Sequence, residues 1–231
     1  MNVGEILKNV FIFRGIDDAS LERLRPQITV EDIKKGEFIL FEATSLEHLT
    51  AIVTGRAKLI CQGESGRETV VGIAGPGETI GEISLLDGRP LPYSAKALTG
   101  CRIVRLPREP FLQYLFSNST AGFEMLLELS RRLRDAHGQI TSIATDRVED
   151  RIIGLLLGLA DKTGRTDGES VEITVPLTRQ DIADIVGSTV ETTIRILSKL
   201  GKADLVETRS KHLVIKDVDR LREQMYKETD F

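Results

Sequence analysis

The 231-residue sequence holds two cysteines and three histidines, too few for most metal and redox chemistry. Cys61 and Cys101 stand forty residues apart with no CxxC, and both fall in strand-like runs, so they read as buried reduced thiols. An iron–sulfur cluster usually takes four thiolates, which excludes one within a single chain. His48, His137 and His212 are too scattered for a local metal motif, so no metal site is expected. No apolar run approaches about 18 residues, and MNVGEILKNV has no basic region ahead of an apolar one, so a cytoplasmic protein without a membrane partner is expected. Catalytic signatures are missing too. There is no P-loop, nucleophile elbow or HExxH, and separated histidines argue against a cupin-like metalloenzyme, so no enzyme is expected. Excess positive charge is also lacking, with a net charge of -4 and a pI near 5.6. That average does not exclude nucleic acid, because binding depends on local potential within about 8–10 Å at physiological salt.

One stretch of the chain has the layout of a DNA-reading element: Leu177 to Leu200, LTRQDIADIVGSTVETTIRILSKL. Thr178 can cap a first helix, with Asp181 completing a capping box, and Ile182, Ala183 and Val186 form its apolar face. Gly187 breaks that helix. Ser188 or Thr189 starts a second, whose Ile196, Leu197 and Leu200 face the core while Val190, Glu191, Ile194 and Arg195 turn elsewhere. Glu191 and Arg195 lie one turn apart near its N-terminus, the part of a recognition helix that enters the major groove. A guanidinium matches guanine O6 and N7, and a carboxylate accepts from cytosine N4, so the pair can read G·C. A competing reading has Glu191 closing a capping box on Ser188 and Arg195 solvated. The surroundings favour DNA: from Arg195 to Lys216 there are six basic residues (Arg195, Lys199, Lys202, Arg209, Lys211, Lys216) against Asp204 and Glu207.

The segment TRQDIADIVGSTVETTIRILSKL resembles the helix-turn-helix of the CRP/FNR family of bacterial transcription regulators, including an E-T-x-x-R at Glu191, Thr192 and Arg195. Val190 matches the FNR-like branch, whereas Ile194 departs from both branches. The resemblance implies a DNA-facing set of Thr178, Arg179, Ser188, Thr189, Val190, Glu191, Thr192, Ile194, Arg195 and Lys199, with Lys211 on a phosphate from a wing formed by LVET and HLVI.

Upstream, Met1 to Arg25 reads as short helices, the second capped by Asp18 or Ser20. From Ile28 to Leu106, short apolar runs divided by glycine turns signal an all-β sandwich or barrel. Their order, and above all Pro76-Gly77-Glu78 followed by Ile80-Gly81-Glu82, resembles the family's β-roll. Thr120 to Ala144 reads as one long helix. Leu126, Ser130, Leu133, His137, Ile140 and Ala144 form a seam suited to a parallel two-helix coiled coil, which with the resemblance implies a homodimer. The competing reading docks that helix on its own roll through Leu127 and Leu129. Asp146 can cap the next helix, and Asp217 a last, peripheral one. The expected fold is α+β: a cyclic-nucleotide-binding-like jelly roll (1–116), a long dimerisation helix (117–145) and a winged helix-turn-helix (146–231).

In cyclic-nucleotide-binding relatives a Gly-Glu pair holds the ribose and an Arg-Ser-Ala run the phosphate. Gly81 and Glu82 match the first, next to Ile83. The second reads Tyr93-Ser94-Ala95, so its arginine is missing, with Arg89 upstream as a candidate substitute. The adenine contacts of the cAMP-binding branch fall on Ala136 and His137. Both departures point away from cAMP, and the effector stays open. His137 could ligate haem, meet an anion or report pH, or simply hydrogen-bond its symmetry mate or Ser130. The leading expectation is a homodimeric transcription regulator that binds double-stranded DNA and works with RNA polymerase under effector control. The alternatives are an effector-independent relative, or a ligand-binding regulatory module of an enzyme or channel.

Overall fold

The computed structural model describes residues 3–63, 66, 68–209 and 212–225. It divides into two compact units, Met1–Asp135 and Ala136–Phe231. In the first, helices α1 (Val3–Lys8) and α2 (Asp18–Leu24) precede strands β1 (Thr29–Ile33), β2 (Phe38–Leu40), β3 (His48–Thr54), β4 (Ala57–Gln62), β5 (Glu68–Ala74) and β6 (Thr79–Ile80). A short helix α3 (Glu82–Asp87) interrupts the strands before β7 (Ser94–Ala97) and β8 (Cys101–Pro107). Two four-stranded sheets result, in the orders β1-β8-β3-β6 and β2-β7-β4-β5.

The pairing of β3 with β8 explains why both strands read as nearly continuous apolar runs. Side chains alternate across a strand, and here both faces are covered. Leu49 and Ala51 of β3 with Val104 and Leu106 of β8 face a core shared with Leu7, Ile12, Phe13, Phe111 and Tyr114. Ile52, Cys101 and Ile103 face the other way, into a core with Ile39, Ile80, Leu91 and Tyr93. The turn after β3 requires glycine: Gly55 sits at φ +86°, and a Cβ there would lie 2.3 Å from the Gly100 carbonyl oxygen. Asp17, not Asp18 or Ser20, caps α2 by accepting from the Ser20 amide at 2.8 Å. Cys101 is buried but Cys61 only partly so, and burial raises both thiols above their ordinary pKa.

Helix α4 (Arg108–Ser117) leads into α5 (Ser119–Thr145), where the boundary between the units falls. The face of α5 that docks on the roll is Ala121 and Met125, assisted by Leu129. Leu127 is exposed, so half of the expected docking pair is corrected. Leu126, Leu133 and Ile140, seven residues apart, are 63%, 58% and 65% exposed in the single chain.

The second unit contains α6 (Val148–Thr163), the hairpin β9 (Gly164–Asp167) and β10 (Ser170–Ile173), α7 (Arg179–Val186) and α8 (Val190–Lys202). The hairpin β11 (Val206–Arg209) and β12 (His212–Ile215) and helix α9 (Val218–Gln224) complete it, with a sheet ordered β11-β12-β10-β9. Asp146 does not cap α6. Arg147 takes the N-cap position, and the Asp146 carboxylate accepts from Ser142 and Thr145 instead. Asp217 does cap α9, but that helix is not merely peripheral: Leu221 is fully buried, a burial worth about 1.5–3 kcal/mol.

Candidate nucleic-acid interface and effector site

Both halves of the capping box at α7 are present. Thr178 Oγ1 accepts from the Asp181 amide at 3.1 Å, and the Asp181 carboxylate accepts from the Thr178 amide at 2.9 Å. Gly187 ends the helix in the left-handed region at φ 65°, and the Ser188 amide returns to the Ala183 carbonyl at 2.9 Å. Thr189 is the N-cap of α8, accepting from the Thr192 amide at 3.2 Å, and Thr193 is buried with its hydroxyl on the Thr189 carbonyl. Because the cap is Thr189, the third helical residue is Thr192, and Glu191 closes no capping box. The apolar residues Ile182, Ala183 and Val186 of α7 and Ile196, Leu197 and Leu200 of α8 are all buried. With Thr178→Ala the box is lost. Urea unfolding should show about 1 kcal/mol less stability, within about 0.5–2.

Glu191, Ile194 and Arg195 are exposed on α8, and among the described residues neither Glu191 nor Arg195 makes a hydrogen bond or ion pair. Val190 and Thr192 are partly exposed beside them. Arg179 is held differently: its guanidinium donates to Thr208 Oγ1 on β11 at 2.8 Å, and burial lowers its pKa from the ordinary value. The basic run is less free than its composition suggests. Lys199 pairs with Glu149 at 2.8 Å, Arg209 with Glu207 at 2.6 Å, and Lys216 with Asp204 at 2.5 Å. Lys211 lies outside the described residues.

In the β-roll, Gly81 (φ 84°) starts α3, and its amide donates to the phenol oxygen of Tyr93 at 2.9 Å. Tyr93 is buried, which raises its pKa well above the ordinary phenol range, and Glu82 adds to the shift. Ser94 Oγ accepts from the Glu42 amide at 3.0 Å, and Ala95 is buried in the core. Arg89 and Ile83 are exposed, and no described residue bonds the Arg89 guanidinium. Glu82 is only 2% exposed. It pairs with Arg132 of α5, which also donates to the Thr79 carbonyl at 2.9 Å and to Glu128 at 2.6 Å. Burial pushes the Glu82 carboxyl up, and Arg132 offsets this in part. Burial also works against the Arg132 charge, but Glu82 and Glu128 outweigh it and raise its pKa. The Thr79 hydroxyl favours ionised Glu82, yet Thr79 Oγ1 and Glu82 Oε2 lack a partner of normal hydrogen-bond geometry among the described residues. Ala136 and His137 are exposed on α5, as are Ser130 and Ala144; Ser130 Oγ donates to the Leu126 carbonyl at 2.7 Å. Sequence reasoning missed Arg132 and Thr79. A glutamate expected in the roll interior needs a cationic partner, and that demand was the available signal.

Residues 30–118 match the cyclic nucleotide-binding domain family and residues 150–224 the Crp-like helix-turn-helix domain family. A β-roll of the first kind followed by a winged helix-turn-helix of the second defines a DNA-binding transcription regulator, not an enzyme. The chain belongs to the CRP/FNR family. It is 28% identical over 217 residues to the CRP-like cAMP-activated global transcriptional regulator of Mycobacterium tuberculosis, covering 94% of this chain and 97% of that one. To the cAMP-activated global transcriptional regulator CRP of Escherichia coli it is 27% identical over 202 residues, 86% and 94% of the two chains. Its fold is similar to that of FixK2 from Bradyrhizobium japonicum, with a TM-score of 0.74 at 21% identity over 85% of this chain and 96% of that one. Among the described residues no helix is long and apolar enough to cross a membrane.

Proposed function

We propose that the chain acts in the cytoplasm as a homodimer that binds an inverted-repeat operator and regulates RNA polymerase there, under control of a small effector sensed by the β-roll. The observation that carries this reading is the pair Glu191 and Arg195, exposed and unengaged on the N-terminal half of a capped helix. The exposed, heptad-spaced Leu126, Leu133 and Ile140 support the dimer, since large apolar groups at that spacing bury well against their symmetry mates. Selection of duplexes from a random pool by the purified protein tests the reading. The recovered sites should be inverted repeats with half-site centres about 10 bp apart and a G·C pair in each half; recovery of unrelated sequences would leave only a ligand-binding module.

The cAMP activation named for the relatives does not carry over to this chain. Tyr93 stands where a phosphate would need a guanidinium, and its phenol already takes the Gly81 amide. In calorimetry at micromolar concentration cAMP is expected not to bind, and operator affinity should be the same with and without it. Tighter operator binding on addition of cAMP would overturn this expectation.

A further inference from the structure

Helix α8 buries Thr193, Ile196, Leu197 and Leu200 against its own unit, and these residues form its inward stripe. Ile194 is not part of that stripe and stands 47% exposed. Among the described residues of the second unit, the other exposed large apolar side chains are Ile140 and Ile143, both on α5. Scattered exposed apolar residues are ordinary on a protein surface, so position has to decide. Ile194 follows Glu191 by three residues and precedes Arg195 by one, on the outward half of the helix. Val190, partly exposed and one turn earlier, extends it into an apolar stripe beside the Glu191 and Arg195 pair. Local structure gives no reason for an isoleucine here, because a β-branched residue favours helix less than the straight-chain residues that suit an exposed position.

Chemistry narrows what Ile194 can meet when this face enters the major groove. The base pairs present donors and acceptors there, and the C5 methyl of thymine is the one apolar group among them. An isoleucine pressed on guanine O6 and N7, on adenine N6 and N7 or on cytosine N4 would strip those groups of water and return no hydrogen bond. Pressed on a C5 methyl, it removes apolar surface from water on both partners. Neighbouring helix residues are about 1.5 Å apart along the axis and neighbouring base pairs about 3.4 Å, so Ile194 and Arg195 reach the same or adjacent pairs. With the guanine taken by Arg195, the methyl falls on the adjacent pair.

We propose that Ile194 is a specificity-determining residue that reads the C5 methyl of a pyrimidine next to the G·C pair, with Val190 flanking the contact. The proposal rests on reading α8 as the DNA-recognition helix. A purely apolar contact senses the methyl and not the ring that carries it. Cytosine methylated at C5 places the same group at the same point of the groove, so 5-methylcytosine substitutes for thymine at this position where cytosine does not. Operator affinity then depends on the methylation of the DNA as well as on its sequence.

The test is fluorescence anisotropy of the full chain on the operator recovered from the random pool, with each thymine replaced in turn by deoxyuridine, which removes the C5 methyl alone. At one thymine per half-site, next to the G·C pair, the wild-type protein should lose about three- to fivefold in affinity, and about tenfold or more when both half-sites are changed. Cytosine at that position should weaken binding at least as much, and 5-methylcytosine should recover part of the loss. Ile194→Ser should bind the thymine and deoxyuridine operators equally, with its unfolding curve as the control for stability. Should that variant fail to fold, Ile194→Ala shortens the side chain and should bring the ratio below about twofold. Specific, G·C-dependent binding that ignores deoxyuridine at every position overturns this proposal and leaves the DNA-binding reading standing. Sensitivity that persists in Ile194→Ser gives the contact to another residue and overturns the assignment. A protein that recovers no specific operator overturns both readings.

Discussion

Leu133→Asp is expected to turn the dimer into a monomer in sedimentation while leaving the β-roll folded. Leu133 is 58% exposed in the single chain, so aspartate there costs little internal packing. In a parallel two-helix seam the same residue meets its own copy. The substitution then removes two leucines from a buried interface, each worth about 1.5–3 kcal/mol, and places two carboxylates against each other. Ile140→Asp should behave alike, since Ile140 lies one heptad on and is slightly more exposed. Operator binding should collapse with the dimer, because a monomer reaches only one half-site. A Leu133→Asp protein that sediments as an unchanged dimer would place the interface elsewhere.

The second large effect is at Arg195. Arg195→Ala should cost about 1–3 kcal/mol of operator binding for each half-site, about fivefold or more, and should relax the preference at one guanine. The loss of preference is the informative part. Equal weakening on all sequences would make Arg195 a phosphate contact and remove the direct readout. Since Arg195 has no partner among the described residues, its loss should leave stability unchanged, and unfolding curves provide that control.

The features legible in the sequence are those set by local spacing. The Thr178 and Asp181 box, the break at Gly187 and the buried faces of α7 and α8 follow from short-range rules, and all are present. The strands of the roll were legible for the same reason, through glycine turns and apolar runs. Competition between neighbouring caps was not: the sequence reading offers Asp18 and Ser20, whereas the extended backbone at Asp17 makes that residue the cap. The effector site was half legible. The missing arginine at Tyr93 is plain in the sequence, but the hydrogen bond from Gly81 to the phenol spans twelve residues and that from Arg132 to Glu82 spans fifty. No periodicity encodes such pairs, and topology alone brings them together. Composition also overstated the basic surface, because it cannot show that Lys199, Arg209 and Lys216 face acids within the fold.

Those three surface ion pairs bear on how the protein meets DNA. Each lysine or arginine that neutralises a DNA phosphate steepens the dependence of log affinity on log salt by about 0.9, and this term supplies nearly all affinity for random sequence. With half of the six basic residues between Arg195 and Lys216 in exposed pairs with Glu149, Glu207 and Asp204, that dependence should be shallower than six unpaired cations would give. Residence on random chromosomal DNA should then be brief. A regulator with that weak a hold on random sequence should travel by frequent release and recapture more than by sliding.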